Sequence, residues 1–365
     1  MRIAQVAPLF ESVPPALYGG SERVVSWLTE QLVALGHEVT LFASGDSRTN
    51  ARLVPVCDRA LWRDNQCRET LPHHVRMMEL VFEDLSRFDV VHFHSDYIHF
   101  PLVRKYQCPS VTTLHGLVHE HDLGDLLRDY SDVPLVSISN SQRASVPNAA
   151  WCGTVYHGLP ADLHTFRQEA GEYLAFLGRI SPEKGVDRAI EIARRSRSHL
   201  KIAAKIYDED RSYYESVIRP LLDKSADFVE FVGEVGGSTK DEFLGRAQGL
   251  LFPVDWPEPF GLVLIEAMAC GTPVIAWNNG AVPEIVEDGV NGFIVASLSE
   301  AASCVPMLAK LRREDCRRTF LTSFCAERMA ADYLRVYEAV LREKAMKLSP
   351  PPARGEEISV VEVRS

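Results

Sequence analysis

Four residues have the type and spacing to handle an anionic ligand that also carries hydroxyls: Arg179 and Lys184 in GRISPEKG (178–185), and Glu258 and Glu266 in EPFGLVLIE (258–266). Ser181 stands where an N-cap belongs, and Pro182 follows at the first helical position, where its missing N–H costs nothing. Lys184 is then expected in the first helical turn, with Arg179 just before it. A helix N-terminus carries partial positive charge and favours acidic neighbours. Two cations there are a misfit that a solvated surface tolerates at a cost of about 0.3–1 kcal/mol. A phosphate resolves it, because it would receive both charges and the helix N–H groups. Gly178 and Gly185 would let the backbone come close to it.

The acidic pair suggests the complementary chemistry. Glu258 precedes a predicted helix, where an acid is favourable by itself. Glu266 lies inside the apolar run LVLIEAMAC, and a buried carboxylate must be paired or hydrogen-bonded. A vicinal diol such as that of a ribose offers two hydroxyls to it, and Glu258 at the loop tip could grip those of a sugar. The N–H groups of Phe260, Gly261 and Leu262 would form a second anion-binding helix end. In YGGSERVV (18–25), Gly19 and Gly20 follow the first strand and a long loop, where backbone can approach a phosphate. His115 ends the strand of TTLHG at a position that would face a cleft. Histidines 92, 94, 99, 119 and 121 cluster around it, but HExxH is absent and no metal site is expected. Asp96, Tyr97 and the loop 116–125 are placed at the acceptor side.

Those residues need a frame to hold them. RIAQVA, HEVTLFA, DVVHFH, SVTTLHG and VPLVSIS read as buried parallel strands alternating with helices. The cycle restarts with EYLAFLG, HLKIAAKI, DFVEFVG, GLLFPV and TPVIAW. Two α/β, Rossmann-like doubly wound domains facing a central cleft are therefore expected, with ligands beyond the carboxyl ends of the strands. The expected boundaries are 1–165, 166–327, a helix over 328–346 and a loosely ordered tail over 347–365. The chain has 365 residues and a formal net charge of −11 with no Lys/Arg block, which disfavours nucleic acid or an anionic membrane surface as main partner. Eight scattered cysteines without CxxC suggest reduced thiols and a cytoplasmic setting. No run approaches the length of a membrane span, and MRIAQVAPLF is not expected to act as a secretory signal.

The EPFGLVLIE stretch resembles the EX7E motif of retaining glycosyltransferases. The G-R-x-x-x-x-K-G stretch and the GTPVIA…PEIVEDGVNGF region resemble the GT-B enzymes of family 4, and the resemblance covers about residues 1–346. It implies transfer of a hexose from a nucleotide-diphosphate sugar, of the UDP-glucose or GDP-mannose type, to a hydroxyl acceptor with retention and without a metal or other cofactor. Arg179 and Lys184 would hold the donor diphosphate, Glu266 the ribose and Glu258 the transferred sugar. Gly19 and Gly20 match the family's N-terminal glycine loop, and His115 a histidine that contacts the donor sugar. The acceptor could be a sugar, a lipid-linked or a small molecule, with peripheral contact at the inner membrane face left open. The family also implies that the last helix crosses back over the N-domain. VYHGLP departs from the family's Asn-Gly-Val-Asp turn, with His157 in place of Asn. A non-hydrolysing sugar-nucleotide epimerase would not be expected to carry this EX7E stretch with GRxxxxKG. A non-catalytic nucleotide-sugar-binding protein need not keep all four charged residues, and a dehydrogenase would need the missing GxGxxG.

Overall fold

A computed structural model describes residues 1–16 and 19–348. Tyr18 of the glycine loop lies outside the described residues. So does the expected tail from residue 349 on.

The N-terminal half forms a seven-stranded sheet: β1 (Arg2–Val6), β2 (Glu38–Ala43), β3 (Arg52–Pro55), β4 (Val90–Phe93), β5 (Ser110–Thr113), β6 (Leu135–Ser137) and β7 (Trp151–Thr154), in the order β3-β2-β1-β4-β5-β6-β7. The C-terminal half forms a six-stranded sheet: β8 (Tyr173–Arg179), β9 (His199–Lys205), β10 (Val229–Gly233), β11 (Ala247–Phe252), β12 (Val274–Trp277) and β13 (Gly292–Val295), in the order β10-β9-β8-β11-β12-β13. Every strand pairing in both sheets is parallel. Helices cover both faces, so central strands such as β4 and β5 are buried along their whole length. Each sheet reverses its winding once, between β1 and β4 and between β8 and β11. In such sheets ligands bind beyond the carboxyl ends at that reversal.

Three strands escaped the sequence reading: β3, β7 and β13. All are four residues long and lie at or near a sheet edge. β3 and β7 are half-exposed, so they lack the continuous apolar run that marks a parallel strand. The start of GRISPEKG also differs from expectation. Pro182–Lys184 is a single 3-10 turn, and the α-helix begins only at Val186. Gly185 separates them at φ +73°, and a Cβ there would lie 2.4 Å from the Pro253 carbonyl oxygen. Lys184 therefore ends a tight turn and does not lie in a helical first turn. The Ser181 hydroxyl hydrogen-bonds Glu183 Oε1 at 2.7 Å and does not cap a helix N–H.

The last helix runs from Ala326 to Leu348, slightly longer than expected at both ends. It returns to the N-terminal sheet, where fully buried Tyr333 and Tyr337 reach Thr113 (2.9 Å) and His92 (2.7 Å). The two passages between the halves run side by side. Leu159 N–H donates to the Phe324 carbonyl at 3.0 Å, and Ala326 N–H to the Leu159 carbonyl at 2.7 Å. A Cβ on Gly158 would meet the Cys325 carbonyl oxygen at 2.3 Å, so this crossing requires glycine. Among the described residues, no helix is long and apolar enough to cross a membrane, and all eight cysteines are free.

Candidate active site

Arg179 is the last residue of β8, and Glu258 lies in the loop that leaves β11. They flank the winding reversal of the C-terminal sheet. Glu258 Oε2 accepts from Lys184 Nζ at 2.5 Å and from Trp256 Nε1 at 2.7 Å. The ammonium also lies 4.8 Å from the centroid of the Trp256 ring. The two loops are tied by Asp255 N–H donating to the Glu183 carbonyl at 2.8 Å. Gly280, at φ +58°, supports the glutamate loop from behind, and a Cβ there would fall 2.2 Å from the Glu258 carbonyl oxygen. Arg179 Nη2 donates to Glu183 Oε1 at 2.6 Å, with Glu209 at 3.4 Å and Asp210 at 4.0 Å. Burial alone would raise the Glu183 carboxyl, but hydrogen bonds from Arg179 and Ser181 outweigh it and hold it below the usual range.

The helix Leu262–Ala269 opens at Gly261, φ +88°, just after buried Phe260. Its start is two residues later than the sequence suggested, because the left-handed Gly261 cannot belong to the helix. Glu266 is only 5% exposed and pairs with Lys240, Nζ to Oε1 2.5 Å. The chain thus supplies a partner where the sequence reading looked to ligand hydroxyls. Burial pushes the Glu266 carboxyl up, but Lys240 and His164, with a smaller contribution from Arg23, more than compensate and keep it below its usual value. Lys240 was not singled out beforehand. The available signal was the buried carboxylate itself, which demands a cation or a donor somewhere in the fold.

One further set of possible metal ligands lies nearby. His164 Nδ1 is 3.3 Å from Asp241 Oδ1, and Cys270 Sγ is 3.9 Å from the same oxygen. Burial pushes the Cys270 thiol up to about 12, which keeps it protonated. The histidines weighed from sequence lie elsewhere. His92 on β4 and His94 just beyond its end are buried and fully engaged in hydrogen bonds, with ring centroids 3.9 Å apart.

The N-terminal sheet brings its own loops to the same place. Gly20 opens the helix Gly20–Ala34, and a Cβ on it would lie 3.5 Å from Leu262 Cδ1 of the other half. Gly19 precedes it with φ +155°, and a Cβ there would clash with Pro15 at 2.8 Å. His115 stands two residues beyond β5, with Nε2 2.8 Å from His94 Nδ1. Its ring stacks 5.3 Å from that of His157, which in turn lies 4.8 Å from Phe260. His157, flagged from sequence only as a departure, thus joins the two halves of the site. Burial pushes His115 down to about 4, so it is neutral near pH 7. Asp96, φ +52°, and Tyr97 are exposed just past the end of β4. Residues 120–125 of the expected acceptor-side loop are the start of the helix Glu120–Asp129. A direct clasp also spans the halves. Glu284 accepts from Asn140 N–H (2.7 Å), Ser141 N–H (2.7 Å) and the Tyr156 hydroxyl (2.8 Å).

Comparison with known proteins places these observations in a family. Residues 164–312 match the model described as glycosyl transferases group 1, and residues 18–143 the model for glycosyltransferase family 4. The chain is 26% identical to a glycogen synthase of Mycobacterium tuberculosis over 90% of this chain and 93% of that one. It is 28% identical to a D-inositol 3-phosphate glycosyltransferase of Frankia alni over 91% and 95%. The fold is shared with sucrose-phosphate synthase from Thermosynechococcus elongatus (TM-score 0.76, 20% identity, 94% and 99% covered). It is also shared with Anabaena HepE, solved with UDP and glucose (TM-score 0.72, 15% identity, 93% and 100% covered).

Proposed function

We propose that this chain, a glycosyltransferase with the GT-B fold and of the family 4 type, moves a hexose from a nucleoside-diphosphate sugar to a hydroxyl acceptor, with retention and without a metal ion. The observation that carries the reading is the contact of Lys184 with Glu258 beyond the carboxyl ends of β8 and β11, with Arg179 ending β8 and Gly20 of the other half lying against Leu262. Anabaena HepE has also been solved with UDP-glucose, which supports this donor class for a chain of the same fold.

Arg179 and Lys184 bind the diphosphate and stabilise the negative charge that builds on it as the glycosidic bond breaks. They supply in side chains the charge that a divalent ion would otherwise bring. The N–H groups at Gly261 and Leu262 add a helix end to the same anion. Glu266 orients the ribose, and Glu258 holds hydroxyls of the hexose. The bond from the anomeric carbon to the phosphate oxygen breaks while the bond to the acceptor oxygen forms on the same face. The acceptor's proton passes to a phosphate oxygen of the departing nucleoside diphosphate. Closure of the cleft excludes water, the competing acceptor. Asp96 and Tyr97 border the acceptor.

Calorimetric titration with UDP, GDP and ADP, each in the presence of EDTA, tests this. Tight binding of one diphosphate is expected and identifies the base. Failure of all three to bind would overturn the donor reading.

A further inference from the structure

His115 is the end of a buried hydrogen-bond chain that starts on the returning helix. Gln5 is fully buried on β1, between that helix and β4. Its Nε2 donates to the Tyr337 hydroxyl at 3.1 Å, and its Oε1 lies 2.8 Å from His94 Nε2. In this orientation of the Gln5 amide, assigned from the hydrogen-bond network, the oxygen faces His94 and only accepts, which puts the His94 proton on Nε2. His94 Nδ1 is then a lone pair, and the 2.8 Å contact to His115 Nε2 requires the proton to sit on His115. The remaining nitrogen, His115 Nδ1, is therefore a lone pair too. It is buried and has no hydrogen-bond partner among the described residues. The other side of Gln5 is consistent. Tyr337 accepts from Gln5 and donates to His92 Nδ1 at 2.7 Å, and His92 Nε2 donates to Thr113 Oγ1 at 2.8 Å. With the amide in this orientation, each ring in the chain takes one defined neutral tautomer.

An unpartnered buried acceptor is a defect unless something donates to it. His115 stacks on His157, which lies against Phe260 at the junction with the donor loop. We propose that Gln5 and His94 are positioning residues that hold His115 as its Nε2–H tautomer, so that Nδ1 accepts a hydrogen bond from a hydroxyl of the bound hexosyl group. The partner of Nδ1 in this inference rests on the donor reading above; the tautomer does not. A sugar with a hydroxyl at that position is accepted. One with a carboxylate there, which only accepts at neutral pH, meets a lone pair and is rejected.

The tautomer is read directly from long-range 1H–15N correlation spectra of the full chain labelled with 15N in the histidine rings, at pH 7. His115→Ala identifies the signals. The expected result is one species with His115 Nδ1 unprotonated and Nε2 protonated. A signal from Nδ1–H, or averaging between tautomers, would overturn the proposal. Gln5→Leu removes both amide contacts and is expected to give mixed tautomers at His115. It should lower kcat at least tenfold for hydrolysis of UDP-glucose or GDP-mannose, whichever the wild type hydrolyses, while UDP or GDP affinity changes less than twofold. Gln5→Glu keeps an acceptor toward His94 and should restore both tautomer and turnover. His94→Phe keeps a ring of similar shape without either nitrogen and serves if Gln5→Leu does not fold. A Gln5→Leu protein with the wild-type tautomer and turnover contradicts the assignment. If neither sugar nucleotide is hydrolysed and neither diphosphate binds, the donor reading falls, and the spectra still decide the roles of Gln5 and His94.

Discussion

Replacing Glu258 with Gln separates binding from chemistry. In this structure the Glu258 carboxylate takes a hydrogen bond from the Lys184 ammonium at 2.5 Å, with the two side chains 13% and 17% exposed. An incoming diphosphate must compete with that carboxylate for the same cation. A hydrogen bond involving a charged group contributes about 1.5–3 kcal/mol, against about 0.5–1.5 for a neutral one. Glutamine keeps an oxygen for Trp256 Nε1 and loses the charge, so the competing interaction weakens by about 1–1.5 kcal/mol. Nucleoside-diphosphate binding should then tighten roughly five- to tenfold. Transfer should move the other way. If the carboxylate's contact with the sugar is made in the transition state, losing about 1.5–3 kcal/mol there lowers kcat roughly 10- to 150-fold. Calorimetry with UDP and GDP, alongside turnover of the matching sugar nucleotide, measures both. Weaker diphosphate binding with unchanged turnover would refute the reasoning on both counts, because it would mean that the ion pair supports the diphosphate site and that the carboxylate does not touch the sugar.

Lys184→Ala should weaken diphosphate binding by about 1.5–3 kcal/mol, read in the same titration. Lys240→Met leaves the buried Glu266 carboxylate without its ammonium and should cost about 3–5 kcal/mol of stability, measured by denaturant unfolding at pH 7. The sign with pH follows from Glu266, whose carboxyl is held below its usual value in the folded chain. The pair's stabilisation is present above the ordinary carboxylate range and is lost as pH falls through the folded value, so wild type and Lys240→Met should converge in stability toward acid. Glu284→Ala removes the acceptor for Asn140, Ser141 and Tyr156, and X-ray scattering should show a larger radius of gyration without loss of either sheet. Gly280→Ala forces a Cβ to within 2.2 Å of the Glu258 carbonyl oxygen at φ +58°, and should lower turnover by displacing that loop while the nucleoside end of the donor still binds.

The parallel sheets were legible because a strand buried on both faces has only one kind of sequence: an unbroken apolar run between turn signals. β8 up to Gly178 and β12 show it plainly, while β1 and β4 each carry one polar residue inside the run, Gln5 and His92. β3 and β7 do not, since an edge strand has one side in solvent and four residues leave no room for a pattern. The helix expected from Ser181 failed for a different reason. Ser-Pro at a helix start is a sound local signal, but Gly185 lies under the Pro253 carbonyl, and that contact comes from a strand whose loop is some seventy residues downstream. Local capping preference is a few tenths to about 2 kcal/mol, too little to override a backbone position imposed by the sheet.

The site shows the same division between what is local and what is paired. Arg179, Lys184 and Glu266 stood out because each is a charge in the wrong company along the chain, and Glu258 through its spacing from Glu266. Their partners were harder to see. Lys240 follows a glycine-rich turn and reads as a surface lysine, and only the folded arrangement shows that it neutralises Glu266. Gln5 is a polar residue in the middle of a buried strand, RIAQVA, and was read through as part of the apolar run. A buried amide carries two donors and an acceptor that must all go somewhere. The rule that singled out Glu266, that a polar group inside an apolar run needs a partner, applies equally to Gln5. Applied there, it leads from the first strand of the chain to the last helix, and from both to His115, whose Nδ1 has no partner among the described residues.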